Sequence, residues 1–176
     1  PQEGAIEIAG QRIEKLSAAK RDHFRADHIG LVFQQFNLLP YLNVLDNVTL
    51  ACDFSHQRVT NLKQAQVSAL DEAKRLLSRL LLPESLWTKS VMNLSIGQQQ
   101  RVAIARSLAN QPSILMADEP TGNLDAANGD AIMDLLFDLR DRHGATLIMV
   151  THSRELAARC DRVVRLRDGR IEGDPQ

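Results

Sequence analysis

Cysteine is scarce in this sequence. Cys52 and Cys160 are too few for a disulfide framework and suit a reducing compartment. An excess of one charge is also lacking. Lys and Arg number 21 against 22 Asp and Glu, a formal net charge of -1, so no basic field argues for nucleic acid as a general partner. No apolar run approaches the roughly 20 residues needed to cross a bilayer. Internal repeats, low-complexity tracts and flexible linkers are likewise missing, which excludes collagen-like, coiled-coil and integral membrane classes. What is present is 176 residues, 44% hydrophobic and 24% charged, the size and texture of one globular domain with a sizeable core. The sequence opens on Pro1 rather than Met and reads as a piece of something longer.

The first segment, Gly4 to Ile13, alternates apolar and polar residues around a small-residue turn at Ala9-Gly10, the pattern of an antiparallel hairpin with one wet face. Ser17 can cap a short charged helix running through Ala26. Three short apolar runs then stand out: Ile29–Phe33, Ile114–Ala117 and Thr146–Val150. Each suits a strand buried on both faces of a parallel sheet. Helical stretches at Gln98–Asn110 and Ala126–Arg142 precede the second and third runs, which implies βαβ crossovers and an α/β layer fold. Ligands of such sheets collect at the carboxyl ends of strands. Gln34, Asp118, Glu119 and His152 follow the three runs directly and are expected to converge there.

From about Asn37 to Asn93 the pattern is mostly helical. Leu62–Leu82 carries Val67, Leu70, Ala73, Leu76, Leu77 and Leu80 near helical spacing, with Pro83 ending the run. The segment Arg162–Ile171 reads as a second hairpin, Val163–Leu166 turning at Asp168-Gly169.

The sharpest stretch is Leu94-Ser95-Ile96-Gly97-Gln98-Gln99-Gln100-Arg101, followed by Ile114-Leu115-Met116-Ala117-Asp118-Glu119-Pro120-Thr121-Gly122-Asn123-Leu124-Asp125. Together these resemble the signature motif and Walker B of ATP-binding-cassette ATPases. His152 resembles the family's switch histidine, and Gln34 its Q-loop glutamine. The wording of Phe36–Pro40 and Pro120–Asp125 is similar to the ATPases of lipoprotein-release and macrolide-export transporters. The resemblance runs from end to end. It implies a P-loop NTPase-like core with a mostly parallel sheet, antiparallel hairpins at its edges and an inserted helical subdomain. The expected division is a partial catalytic core over 1–36, the helical subdomain over 37–93, and the rest of the core over 94–176.

The resemblance also implies roles. Asp118 holds Mg²⁺, directly or through water, and Glu119 orients or deprotonates the attacking water. His152 hydrogen-bonds the γ-phosphate of ATP, and Gln34 accepts Mg²⁺ or positions water. Ser95, Gly97 and Gln98 open a helix whose N-terminus meets ATP held by a second ATPase subunit, while Ser95 also reads as an ordinary N-cap. Asp125 belongs to the family's D-loop at the dimer interface and equally reads as a helix cap. Ile96 departs from the family's two consecutive glycines. A β-branched residue there is expected to resist positive φ and to crowd the phosphate. No Gly-x-x-x-x-Gly-Lys-[Ser/Thr] occurs in the 176 residues, so the P-loop is missing, together with a central strand and the first core helix.

The implied protein is the ATPase subunit of a bacterial ABC transporter, a dimer on the cytoplasmic face of the inner membrane driving integral permease subunits, with no nucleic-acid partner. A soluble ABC ATPase is disfavoured by the lack of a long coiled-coil insertion and of basic charge. A binding partner deficient in hydrolysis follows if the missing P-loop is a native feature.

Overall fold

The computed structural model describes residues 4–122, 124 and 126–172. Its first element is the expected hairpin. β1 (Glu7–Ile8) pairs antiparallel with β2 (Gln11–Arg12) across Ala9 and Gly10. Both turn residues take left-handed backbone, φ 48° and 75°, the pairing of a type I′ turn, and Gly10 adopts it without a Cβ penalty. Ser17 caps α1 (Ala18–His28) by accepting a hydrogen bond from the Lys20 amide at 3.4 Å.

The three apolar runs form β3 (Ile29–Val32), β4 (Ile114–Asp118) and β5 (Thr146–Val150), joined as one parallel sheet in the order β3-β4-β5. The register places Val32 beside Ala117 and Ala117 beside Met149. α5 (Ile96–Leu108) leads into β4, and α6 (Ala126–His143) links β4 to β5.

Burial on both sheet faces was the expectation, and the described residues cover only one. Gly30, Val32, Leu115 and Ala117 face the core. On the other face Ile29, Leu31, Ile114 and Met116 are half-buried, while Ile148 and Val150 are exposed. The reason is topological. Strands added in one direction by right-handed crossovers put their connecting helices on the same side of the sheet. On the covered side the fit is close: a Cβ on Gly30 would lie 2.5 Å from the Ser107 carbonyl oxygen of α5.

The helical region also differs from expectation. Leu62–Leu82 is not one helix but the end of α3 (His56–Gln64) and then α4 (Ala69–Arg79). Gln66 takes φ 53°, which no α-helix accommodates, and the Ser68 hydroxyl accepts the Asp71 amide at 3.0 Å to start a new helix. Asp71 and Glu72 in the first turn favour that N-terminus. α2 (Val44–Asp53) is capped by Asn43, whose side chain accepts from the Asp46 amide. The buried Asn47 ties the preceding loop to α2, its Oδ1 accepting from the Leu39 amide and its Nδ2 donating to the Leu39 carbonyl.

One hydrophobic core runs through both regions, from Val44, Val48, Leu76 and Leu77 to Ile104, Leu115 and the α6 residues Ile132 and Leu136. α5 lies at its centre, packed on α2, α4 and β3. After β5 come α7 (Arg154–Ala158) and a short hairpin of β6 (Leu166–Arg167) and β7 (Arg170–Ile171), turning at Asp168 and Gly169. The expected strand Val163–Leu166 is thus reduced to its last residue. Among the described residues the Glu172 amide donates to the Arg165 carbonyl at 2.8 Å and prolongs the pairing.

Candidate functional site

Each strand of the parallel sheet ends in a polar loop, and the loops meet. β4 ends at Asp118, exposed and in register with Val150. Glu119 follows with φ 43°, an unusual left-handed conformation for a non-glycine residue. Two backbone bonds hold it: its amide donates to the Val150 carbonyl at 3.0 Å, and its carbonyl accepts from the Gly122 amide at 3.0 Å. The turn points the Glu119 side chain at the end of β5. There Oε1 accepts the His152 backbone amide at 3.0 Å and lies 2.7 Å from His152 Nδ1.

A carboxylate oxygen accepts here from a hydrogen on His152 Nδ1, and Nε2 is directed away from Glu119. The Glu119 side chain is 20% exposed while that of His152 is 86% exposed. The pair therefore has a sheltered carboxylate and a solvent-facing ring.

Gln34 completes the cluster from β3. It sits in a turn closed by the Phe36 amide donating to the Phe33 carbonyl at 3.2 Å. Its Nε2 lies so near Gly122 that a Cβ on that glycine would be 3.1 Å away. Thus Gln34, Asp118, Glu119 and His152 gather at the carboxyl edge of the sheet, where open α/β sheets hold ligands.

Ser95, Gly97 and Gln98 lie elsewhere, at the start of α5. Ser95 Oγ accepts the Gln98 amide at 3.3 Å and Gln98 Oε1 accepts the Ser95 amide at 2.9 Å, a complete capping box. α5 therefore begins two residues before the expected Gln98. Ile96 and Gly97 are inside its first turn, and neither takes a positive φ. The expected strain at Ile96 is not there, because a first-turn position calls for ordinary helical backbone, which isoleucine adopts. Its side chain is 53% exposed. Asp125, with Asn123, falls outside the described residues.

Two further residues link α5 to the cluster, and sequence reasoning assigned them nothing. Gln100 Nε2 donates to the Pro120 carbonyl at 2.9 Å. Arg106 donates to the carbonyls of Phe36 and Asn37 at 2.8 and 2.6 Å. A signal existed for Gln100. It falls four residues before Ile104 on the apolar face of α5, where a buried amide is out of place.

The donor chemistry suits a hard cation. Asp118 and Gln34 offer carboxylate and amide oxygens beside one another's loops. Among the described residues no group of three or more His, Cys, Asp or Glu converges to cage a metal.

A parallel sheet with carboxylates, an amide and an imidazole at its carboxyl edge has the layout of an α/β nucleotide-binding domain. The ABC transporter family profile matches residues 1–122, and the chain belongs to the ABC transporter family, whose ATP-binding members hold ATP or ADP. It is 44% identical over 169 residues to the ABC transporter ATP-binding protein YbbA of Escherichia coli, covering 96% of this chain and 71% of that protein. To the lipoprotein-releasing system ATP-binding protein LolD of Novosphingobium aromaticivorans it is also 44% identical over 169 residues, covering 96% of this chain and 72% of LolD. The macrolide export ATP-binding/permease protein MacB of Bdellovibrio bacteriovorus shares 42% identity over 174 residues, which is 99% of this chain but 25% of MacB.

Among solved structures, the dimeric post-hydrolysis state of the ATP-binding cassette MJ0796, bound to ADP and Pi, matches with TM-score 0.84 and 37% identity. The match covers 100% of this chain and 74% of that one. The expected ABC ATPase fold, α/β with a parallel sheet and antiparallel hairpins, is thereby established.

Proposed function

We propose that this chain supplies the ATP-hydrolysing site of a bacterial ABC transporter that moves or extracts lipid-linked or amphipathic substrates through partner membrane subunits. The observation that carries the reading is the Glu119 carboxylate, one residue past Asp118 at the end of β4 and 2.7 Å from His152 at the end of β5. Glu119 is the base that orients and deprotonates the attacking water. Its bonds to the His152 ring and amide fix the direction in which it accepts a proton. With hydrogens on both ring nitrogens, His152 donates Nδ1–H to Glu119 and Nε2–H to a phosphate oxygen. Asp118, with Gln34, would hold Mg²⁺, which neutralises charge developing on the transferred phosphoryl group.

The start of α5 serves a second nucleotide. The Ser95 and Gln98 side chains preorganise the helix N-terminus, leaving first-turn backbone N–H groups for phosphate on the ATP of a partner subunit. A homodimer sandwiching two ATP molecules follows, with Asp125 at its interface. Residues 1–36 and 94–176 belong to the catalytic core and 37–93 to the helical subdomain that faces integral permease subunits. No described helix is long and apolar enough to cross a membrane. The chain sits peripherally on the cytoplasmic face of the membrane, and nucleic acid is not a partner. The P-loop that would grip the β- and γ-phosphates does not occur in these 176 residues, so the chain by itself turns over little ATP.

The decisive experiment substitutes the acidic pair in a form of the protein that carries a P-loop. Glu119→Gln should retain ATP binding, lose hydrolysis and accumulate an ATP-bound dimer, read by light scattering and phosphate release. Asp118→Asn should weaken Mg²⁺-dependent nucleotide binding more than Glu119→Gln does. Wild-type hydrolysis by Glu119→Gln would overturn the assignment.

A further inference from the structure

Two stretches near the site hold left-handed, non-glycine backbone, and both are gripped from α5. Phe36 and Asn37, directly after Gln34 and Gln35, take φ 37° and 49°. Glu119 takes φ 43°. Such conformations persist only where the surroundings over-determine them.

At the first stretch the surroundings are Arg106. Its two terminal nitrogens reach two successive carbonyls, Asn37 at 2.6 Å and Phe36 at 2.8 Å. Among the described residues Arg106 pairs with no carboxylate, and burial pulls its pKa down from the usual guanidinium value. A cation in this position is costly to desolvate, and its described hydrogen bonds all go to this loop.

At the second stretch the grip is Gln100. It is 0% exposed, donates to the Pro120 carbonyl at 2.9 Å, and leaves its Oε1 buried without a partner. An orphaned buried oxygen destabilises, and a leucine of similar size would avoid it. What the amide adds is a donor to the residue that follows Glu119. The two gripping side chains are six residues apart on one rigid helix, roughly 9 Å along its axis.

We propose that α5 is a two-point clamp in which Gln100 positions the turn carrying Glu119 and Arg106 positions the loop carrying Gln34, so that the two halves of the site keep a fixed mutual placement. The proposal rests on the assignment of Glu119 and Gln34 to the reaction. Gln100 and Arg106 are positioning residues that act through the backbone carbonyls of Pro120, Phe36 and Asn37. Because α5 also begins at the Ser95–Gln98 cap, a shift of that cap is passed along the same helix to both loops.

Amide hydrogen exchange on the 176-residue chain tests the clamp without relying on turnover. Arg106→Lys keeps the charge but loses the two-pronged geometry. It should speed exchange at the Phe36 and Asn37 amides by about tenfold, leaving Glu119, Gly122 and the middle of α5 protected. Gln100→Leu should do the reverse, speeding Gly122 and Glu119 by about tenfold while Phe36 keeps its parent rate. Unchanged turn amides in a folded variant, or a uniform loss across α5, would overturn the clamp.

Arg106→Gln and Gln100→Met serve as second substitutions should either first one fail to fold. In a P-loop-bearing form, Gln100→Leu should lower kcat by about tenfold with KM for ATP nearly unchanged, because Glu119 acts on the reacting state rather than on ground-state binding. A rise in KM with kcat unaltered would also overturn it. Hydrolysis surviving Glu119→Gln would instead remove the site assignment and leave the exchange result standing.

Discussion

The helical region and the parallel sheet obey the same apolar logic and reach different ends. Across α2 and α4, Val44, Val48, Leu76 and Leu77 are sealed, each 1% exposed or less. The charges there are sealed as well: Arg58 lies 2.8 Å from Glu72 with both side chains nearly inaccessible, and Arg75 closes the cluster on Glu72. The Arg58 Nε also donates to the Ala109 carbonyl at 2.7 Å, tying the helical region to the end of α5. In the sheet, by contrast, the two faces differ sharply. Leu115 and Ala117 are buried, while Ile148 and Val150 are 46% and 60% exposed. An amphipathic helix finds its partners from whatever packs on one stripe. A strand has two faces, and which of them is covered depends on the order of its neighbours and the hand of its connections.

The contrast can be broken most sharply at Leu77, which is 0% exposed. Leu77→Ala should cost about 2–5 kcal/mol, the lost transfer energy plus a residual cavity, measured by urea unfolding.

Glu72→Gln should come next, at about 3 kcal/mol at neutral pH, since it leaves Arg58 buried with its carboxylate partner removed. Burial raises the Glu72 pKa, but the Arg75 hydrogen bond and the charges of Arg75 and Arg58 outweigh it, and the net shift is downward. A depressed folded-state pKa gives stability that is complete above the unfolded value, about 4.3, and is lost as pH falls through the folded one. The gap between the parent protein and Glu72→Gln should therefore narrow in acid unfolding series below about pH 4. A gap that widens there would mean that Glu72 is not ionised in the folded protein.

The smallest effect belongs to the open sheet face. Ile148→Ser should change stability by no more than about 0.5 kcal/mol in this chain, because the side chain is already half in water. A loss near that of Leu77→Ala would show that the face is covered in solution.

Much of the site is legible in the order of the residues alone. Gln34, the Asp118-Glu119 pair and His152 each follow a short apolar run, so recognising three strands is enough to bring them to one edge. Helix starts are legible for the same local reason. Ser17 and Ser95 lie beside the amides they cap, and Ser68 followed by Asp71 carries the same signature although periodicity conceals it. The apolar spacing of Leu62–Leu82 continues across the break at Gln66, because two short consecutive helices and one long helix can present similar spacings over a few turns.

By itself the sequence determined the features set within a few residues: the caps, the I′ turn at Ala9-Gly10, the strand runs and the polar residue ending each one. Tertiary structure alone decided which sheet face is covered, where α5 sits between the helical region and the sheet, and how its side chains grip the site. Gln100 meets Pro120 across 20 positions, and Arg106 meets Asn37 and Phe36 across 69 and 70. Side-chain type and spacing encode the geometry of one turn or one strand. A hydrogen bond between distant segments exists only once the core has brought their backbones together, and no local pattern carries that distance.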